Sequence, residues 1–192
     1  GALGARRRWD AVLAQVIAAL ENFARTETTP VAERLALPLG HRLPLRRTDA
    51  LEPDLAMALS DMVRDGAGWR PQEEWGTPLA GGPARLRLPL SPGTAGLLRL
   101  HLELRGEGGQ PISFALFADA APAGAATIPN PPAGDFATAM PIDVAEGTQV
   151  LELEMDAPAG TGLRGLMLCR DDDLLARLDF LEAQRLPPLR TG

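Results

Sequence analysis

Leu97-Leu98-Arg99-Leu100-His101-Leu102-Glu103-Leu104-Arg105 sets a leucine against a polar residue at every second position. Side chains on an extended chain point alternately to opposite faces. Leu98, Leu100, Leu102 and Leu104 therefore share one face, to be buried, while Arg99, His101, Glu103 and Arg105 line a wet one. Ala84 to Leu90, Ile112 to Phe117 and Val150 to Met155 repeat the signature, and Gly106 to Gly109 and Ala145 to Thr148 supply turns between or before them. Short strands at regular intervals, punctuated by turns, predict a mainly β protein built as an antiparallel β-sandwich of jelly-roll type.

Composition agrees with this pattern. Glycine (20) and proline (18) are abundant, which suits many short strands joined by turns better than a helical bundle. A hydrophobic content of 45% with 23% charged residues is ordinary for a folded chain, and 192 residues are enough for one sizeable core. The segment Ala120 to Ala139 holds four prolines and few large apolar residues, and reads as a long surface loop available for ligand contact. Asp171 to Glu182 supports two readings. Leu174, Leu175, Leu178 and Leu181 fit a helix capped by aspartates, whereas Leu178, Phe180 and Glu182 alternate as in a strand; a turn followed by a closing strand is favoured.

Helices are expected ahead of the sandwich. Between Arg6 and Arg25, Trp9, Val12, Leu13, Val16, Ile17, Leu20 and Phe23 recur at helical spacing and form a stripe that must bury against the following domain or a partner helix. Val31 to Arg47, with Pro38, Gly40 and Pro44, reads as an extended connector. A second, shorter helix fits Glu52 to Arg64, with Pro53 and Asp54 in its first turn. The expected organisation is a helix and connector over residues 1–48 and a β-sandwich over residues 49–192. A glycine at position 1 suits a module cut from a longer protein.

The charge balance excludes some function classes. Every basic residue is arginine, and the net charge is −6. An acidic chain lacks the electrostatic attraction that dominates phosphate-backbone binding, so no nucleic-acid partner is expected. The longest apolar stretch, Ala11 to Leu20, is too short to span a membrane and no signal-peptide cleavage site follows it. With the single cysteine Cys169 no internal disulfide can form, which fits a reducing, cytoplasmic setting; the thiol sits in an apolar run and reads as buried and structural. His41 and His101 have no spaced histidine or cysteine partners, so neither a metal nor any other cofactor is expected. Asp171 to Asp173 could ligate calcium or simply be solvated turn residues. Adjacent acids on extended chain point to opposite faces, so a glycoside-cleaving pair would need carboxylates from distant segments, and the chain is expected to be non-enzymatic.

The stretch Gly68-Trp69-Arg70-Pro71-Gln72-Glu73-Glu74-Trp75-Gly76 holds two of the three tryptophans. Flat aromatic faces beside a carboxylate suit a sugar; two tryptophans ahead of a strand also suit a core plug. With Gly82, Ala84, Leu86 and Leu88 continuing the register, this motif resembles a β-sandwich module that accompanies glycosyltransferase domains in bacterial surface-polysaccharide proteins. Gln72 stands where that family usually has proline, and Pro78 where a further tryptophan is common. The resemblance implies a non-catalytic accessory domain that binds carbohydrate or positions a neighbouring glycosyltransferase. It implies that Trp69 and Trp75 stack on or frame the ligand and that Glu73 accepts hydroxyl hydrogen bonds, with Arg99 or His101 nearby. Two readings compete with this one. The motif could be a lid on the sandwich with Glu73 capping backbone N–H groups, and the protein could be an interaction domain that homo-oligomerises through its N-terminal helix.

Overall fold

The structure, a computed structural model, describes residues 36–45 and 62–185. The chain divides into two units, 1–36 and 37–192, and the strands and the helix of the described residues all lie in the second. The helix expected at 6–25 lies outside the described residues. So does the helix expected at 52–64, apart from its last three residues, of which Arg64 begins β2 (Arg64–Asp65).

Strand β5 (Gly96–Glu107) occupies the middle of the first sheet. Antiparallel neighbours flank it on both sides, β10 (Gly162–Arg170) and β8 (Ala133–Val144), with Leu102 opposite Leu166 on one and Thr138 on the other. Two short pieces, β1 (Leu43–Pro44) and β3 (Thr77–Pro78), pair with β10 and complete the sheet. The second sheet runs in the order β2, β4 (Ala84–Pro89), β9 (Val150–Asp156), β6 (Ile112–Ala118), β7 (Ala121–Ile128), all antiparallel. The leucines at 98, 100, 102 and 104 are fully buried in one cluster with Leu86 and Leu88, Ile112, Phe114 and Leu116, Leu151, Leu153 and Met155, and Met140, Ile142 and Val144. Two sheets with their apolar faces joined make a β-sandwich, and each buried leucine contributes roughly 2 kcal/mol of transfer free energy.

Alternation identifies strands that are wet on one face, and β4, β5, β6 and β9 fall where it places them. It misses strands of other character. β10 is a nearly unbroken apolar run because both of its faces are covered: Leu166 and Leu168 point into the sandwich, Met167 and Cys169 away from it. Ala120 to Ala139, expected as a loop, is instead β7 and the first half of β8. β7 is an edge strand of small, exposed residues, and an edge tolerates Pro122 because its outward N–H is not needed. Residues 37–45, read as a connector, place Leu37, Leu43 and Leu45 in the core. Backbone bonds fix them there: Leu37 N to Pro89 O (2.7 Å), Gly40 N to Leu168 O (2.8 Å) and Leu45 N to Arg164 O (2.9 Å).

The closing strand expected near the C-terminus is a helix, α1 (Leu174–Arg185). Asp173 caps it, its carboxylate accepting the Ala176 N–H at 3.0 Å. The leucines that form a stripe in the sequence face outward, and Ala176 and Phe180 are the side chains α1 buries, against Met167 and Cys169.

The β6–β7 hairpin turns on Asp119 and Ala120, both with positive φ (46° and 66°), the signature of a two-residue type I′ turn. Asp119 is compensated for its conformation: its carboxylate accepts the N–H groups of Gln149 (3.1 Å) and Val150 (3.0 Å) and ties the turn to the start of β9. Ala120 has no such compensation and carries the cost of a Cβ in the left-handed region. Ala120→Gly is expected to stabilise the fold by about 1 kcal/mol, and Asp119→Ala to destabilise it by about 1–2 kcal/mol, both read as shifts of the urea midpoint at constant m-value.

Candidate functional site on the outer face of the first sheet

The polar stripe of β5, expected to be wet, is matched residue by residue. Arg99 pairs with Asp171 just ahead of α1, Nη2 to Oδ1 at 2.6 Å. His101, opposite Met167 of β10, packs its ring against Phe180 of α1 with centroids 5.0 Å apart and is only 6% exposed. Glu103 receives the Arg42 guanidinium through two hydrogen bonds, one of them Nη2 to Oε2 at 2.6 Å, and is itself buried. Gly165, opposite Glu103, leaves space for that carboxylate, since a methyl there would stand 3.1 Å from Oε2. Arg105 at the far end reaches Asp135 of β8, Nε to Oδ1 at 2.7 Å, and Asp135 also pairs with Arg164 of β10.

Burial sets the proton affinities here. Desolvation pushes the His101 imidazole below its ordinary value, and the positive charges of Arg177 and Arg99 push it further the same way. The Cys169 thiol is pushed up, first by desolvation and then by Asp173. His101 is thus neutral at pH 7, and its Nε2 is buried with no hydrogen-bond partner among the described residues.

The tryptophan motif forms a tight hairpin. Trp69 pairs with Leu79, Arg70 N donates to Pro78 O (2.8 Å), and the chain reverses between Glu73 and Gly76, where Glu73 N donates to Gly76 O (2.8 Å). Trp69 packs against the sandwich core and donates its indole N–H to Arg85 O of β4 at 2.9 Å. Trp75 goes to the other sheet. Its six-membered ring lies over Gly162 of β10, where a methyl would overlap it, and the Arg105 guanidinium sits 4.7 Å from its ring centroid. The Trp75 indole N–H donates to Glu73 Oε2 at 2.5 Å, and Arg164 Nε donates to Trp75 O at 3.2 Å. Glu73 therefore holds the neighbouring indole, where a lid role would have it capping backbone N–H groups.

Of the five residues singled out from the sequence, the structure joins Glu73 and Trp75. Trp69 is anchored on the other sheet. Arg99 and His101 share a face with Trp75 but lie toward the α1 end of β5; Arg99 is about 20 Å along the strand from Arg105 at 3.3 Å per residue. Arg105, Asp135 and Arg164 complete the Trp75 cluster and were not singled out. Arg105 was legible as the next member of the β5 polar stripe; Asp135 was hidden in a strand mistaken for a loop. Asp171 and Asp173 are engaged as ion-pair partner and helix cap, and among the described residues no group of three His, Cys, Asp or Glu side chains could hold a metal ion.

No protein-family model matches the chain, and no curated protein does. Solved structures with a similar arrangement include a carbohydrate-binding module of lichenase 5A from Cellvibrio mixtus in complex with cellotriose, at 13% identity over 49% of this chain and 76% of that one, TM-score 0.38. The C-terminal family 6 module of a marine laminarinase from Zobellia galactanivorans is similar at 14% identity, covering 56% and 90%, TM-score 0.40. A family 36 module of a multidomain xylanase from the hindgut metagenome of Trinervitermes trinervoides is similar at 12% identity, covering 55% and 88%, TM-score 0.39.

Glu103 loses most of its hydration on folding and depends on Arg42 for compensation. Arg42→Met is expected to cost about 3 kcal/mol by stranding the carboxylate, while the double variant Arg42→Met with Glu103→Leu recovers most of that loss. A double-mutant cycle by urea denaturation reads the coupling, and additive losses would show the pair to be energetically idle.

Proposed function

We propose that this domain is a non-catalytic carbohydrate-binding module whose ligand stacks at Trp75. The observation that carries the reading is the fixed orientation of that indole, held by Glu73 at its N–H and by Arg105 over its ring. A partly buried aromatic already locked in place loses little conformational freedom on binding. Around it, Glu73 and Asp135 offer carboxylate acceptors and Arg105 and Arg164 offer N–H donors, which is the complement of vicinal sugar hydroxyls. Trp69 supports the hairpin and does not touch ligand in this reading. The resemblance of the Gly68–Gly76 motif extends the proposal: the module serves beside a glycosyltransferase in bacterial polysaccharide synthesis, in the cytoplasm.

Intrinsic tryptophan fluorescence titrated with a panel of bacterial oligosaccharides tests the site. A saturable change is expected in the native chain and is lost in a folded Trp75→Ala variant. Gly162→Ala, which keeps the tryptophan but displaces its ring from its seat, is expected to weaken binding about tenfold, some 1.4 kcal/mol. No response of the native chain to any sugar in the panel would refute the reading.

An assembly role has one specific observation in its favour. Leu174, Leu175, Leu178 and Leu181 of α1 are exposed by 63%, 75%, 55% and 47%, a run of apolar surface along one helix. Sedimentation velocity separates the two readings: association that depends on concentration and disappears in a Leu175→Glu, Leu178→Glu variant favours assembly.

A further inference from the structure

The burial of His101 has a consequence for α1. We propose that α1 is a pH-released cover, seated on the first sheet while His101 is neutral and unseated when His101 takes up a proton.

The geometry concentrates the attachment of α1 on a small area. The helix buries Ala176 and Phe180, and it meets Met167, Cys169 and the His101 ring there. Elements held by few buried side chains open at lower free energy than the fold as a whole. His101 is the polar group inside this contact. A proton on its imidazole would create a charge at a buried position where Nε2 has no acceptor among the described residues.

The charges facing His101 do not rescue the protonated form. On its own strand, Arg99 and Glu103 flank it at two residues' distance. Arg99 is paired with Asp171, and Glu103 is neutralised by Arg42. From α1, Arg177 approaches and donates to the Asp171 backbone carbonyl at 2.9 Å, so its guanidinium charge has no carboxylate partner in that bond. From β10 come Met167 and Cys169, and from β8 the opposite residue is Ala139, none of them charged. Asp173 is committed to the α1 cap. Two guanidiniums thus stand against an imidazolium, consistent with the downward displacement of its proton affinity by desolvation, Arg177 and Arg99.

The direction follows from linkage. With α1 seated, His101 binds its proton more weakly than the ordinary pKa of about 6.5; with α1 released, burial and Arg177 no longer oppose the proton and the value rises toward the ordinary one. The released form therefore holds more protons. Seating is at full strength above about pH 6.5, weakens as the pH falls below it, and levels off below the lowered value of the seated state. At pH 5 the ratio of released to seated helix can rise by at most about thirtyfold, the limit set by the released-state value alone.

Cys169 reports the opening directly. It is the single thiol of the chain, fully buried beneath α1. Its reaction with 4,4′-dithiodipyridine is followed from pH 7.5 to pH 5 and divided at each pH by the rate of the same chain in guanidinium, which removes the intrinsic pH dependence of the thiol. The normalised rate is expected to rise as the pH falls, by no more than about thirtyfold. In His101→Leu the rise is abolished, and in Phe180→Ala the thiol is reactive at both ends of the range. Amide hydrogen exchange at pH 5 is expected to accelerate in α1 while β5 and β9 stay protected. A flat normalised rate in the native chain, an equal rise in His101→Leu, or loss of protection across β5 and β9 together with α1 would each overturn the proposal, the last because it marks global acid unfolding.

Discussion

A strand covered on both faces obliges the rest of the chain to answer the polar side chains it carries, and β5 is such a strand at its centre, where His101 and Glu103 are buried between the partly exposed Arg99 and Arg105. One face is four leucines and settles into the sandwich with no polar atom to satisfy. The other carries Arg99, His101, Glu103 and Arg105, and burial of these groups is unfavourable unless each finds a partner. Three parts of the chain supply partners to Arg99, Glu103 and Arg105, namely the turn before α1, the segment 36–45, and the tryptophan hairpin with β8, while α1 covers His101 with Phe180. The layer over the first sheet is thus organised by the charge pattern of a single strand. Arg42 and Glu103 illustrate the logic. A buried pair of this kind adds little net stability, but removing one member is costly, so the pair fixes where residues 37–45 lie more than it strengthens the fold.

The answers are unequal in strength. Asp171 and Asp135 meet Arg99 and Arg105 with charge, and Arg42 meets Glu103 with two hydrogen bonds, whereas His101 is met with a phenyl ring. A phenyl ring offers no hydrogen-bond acceptor, so a protonated imidazole there stays buried with its Nε2–H unsatisfied among the described residues. The position in the stripe where polarity is answered by packing is also where a proton changes the balance, which links the alternation of β5 to the pH response of α1.

How much of this was legible in the sequence depended on one rule. Alternation requires one apolar and one polar face, so β4, β5, β6 and β9 announced themselves. β10 is apolar on both faces, and β7 is built of small residues of which only Ala123 and Ile128 pack against the core, so neither produces a period of two. The rule also names the wrong environment for the polar half of β5. A charged residue on a strand is wet only if nothing comes to cover it, and coverage by Arg42, Phe180 or Trp75 is a tertiary fact. α1 was misread because Leu178, Phe180 and Glu182 alternate and favoured a closing strand, whereas the spacing of the four leucines pointed to the helix that forms. Those leucines face outward, and the helix docks through Ala176 and Phe180 against Met167, Cys169 and the His101 ring.

The tryptophan motif shows how a turn changes the meaning of spacing. Trp69 and Trp75 are six residues apart, an even number that would put both on one face of a continuous strand and make them a double platform. The chain reverses between Glu73 and Gly76, so the two indoles travel to different sheets, one donating to Arg85 O of β4 and one lying over Gly162 of β10. The proposed sugar site therefore has a single aromatic surface. One stacked ring supplies little discrimination between sugars of the same shape, so selectivity at such a site falls to the acceptors Glu73 and Asp135 and the donors Arg105 and Arg164. Since Arg105 already stands over the indole, a ligand must either use the remaining surface of the ring or displace the guanidinium, and the second course breaks its contact with Asp135. The arrangement favours a short ligand that stacks on the part of the ring Arg105 does not cover and leaves the Arg105–Asp135 pair intact.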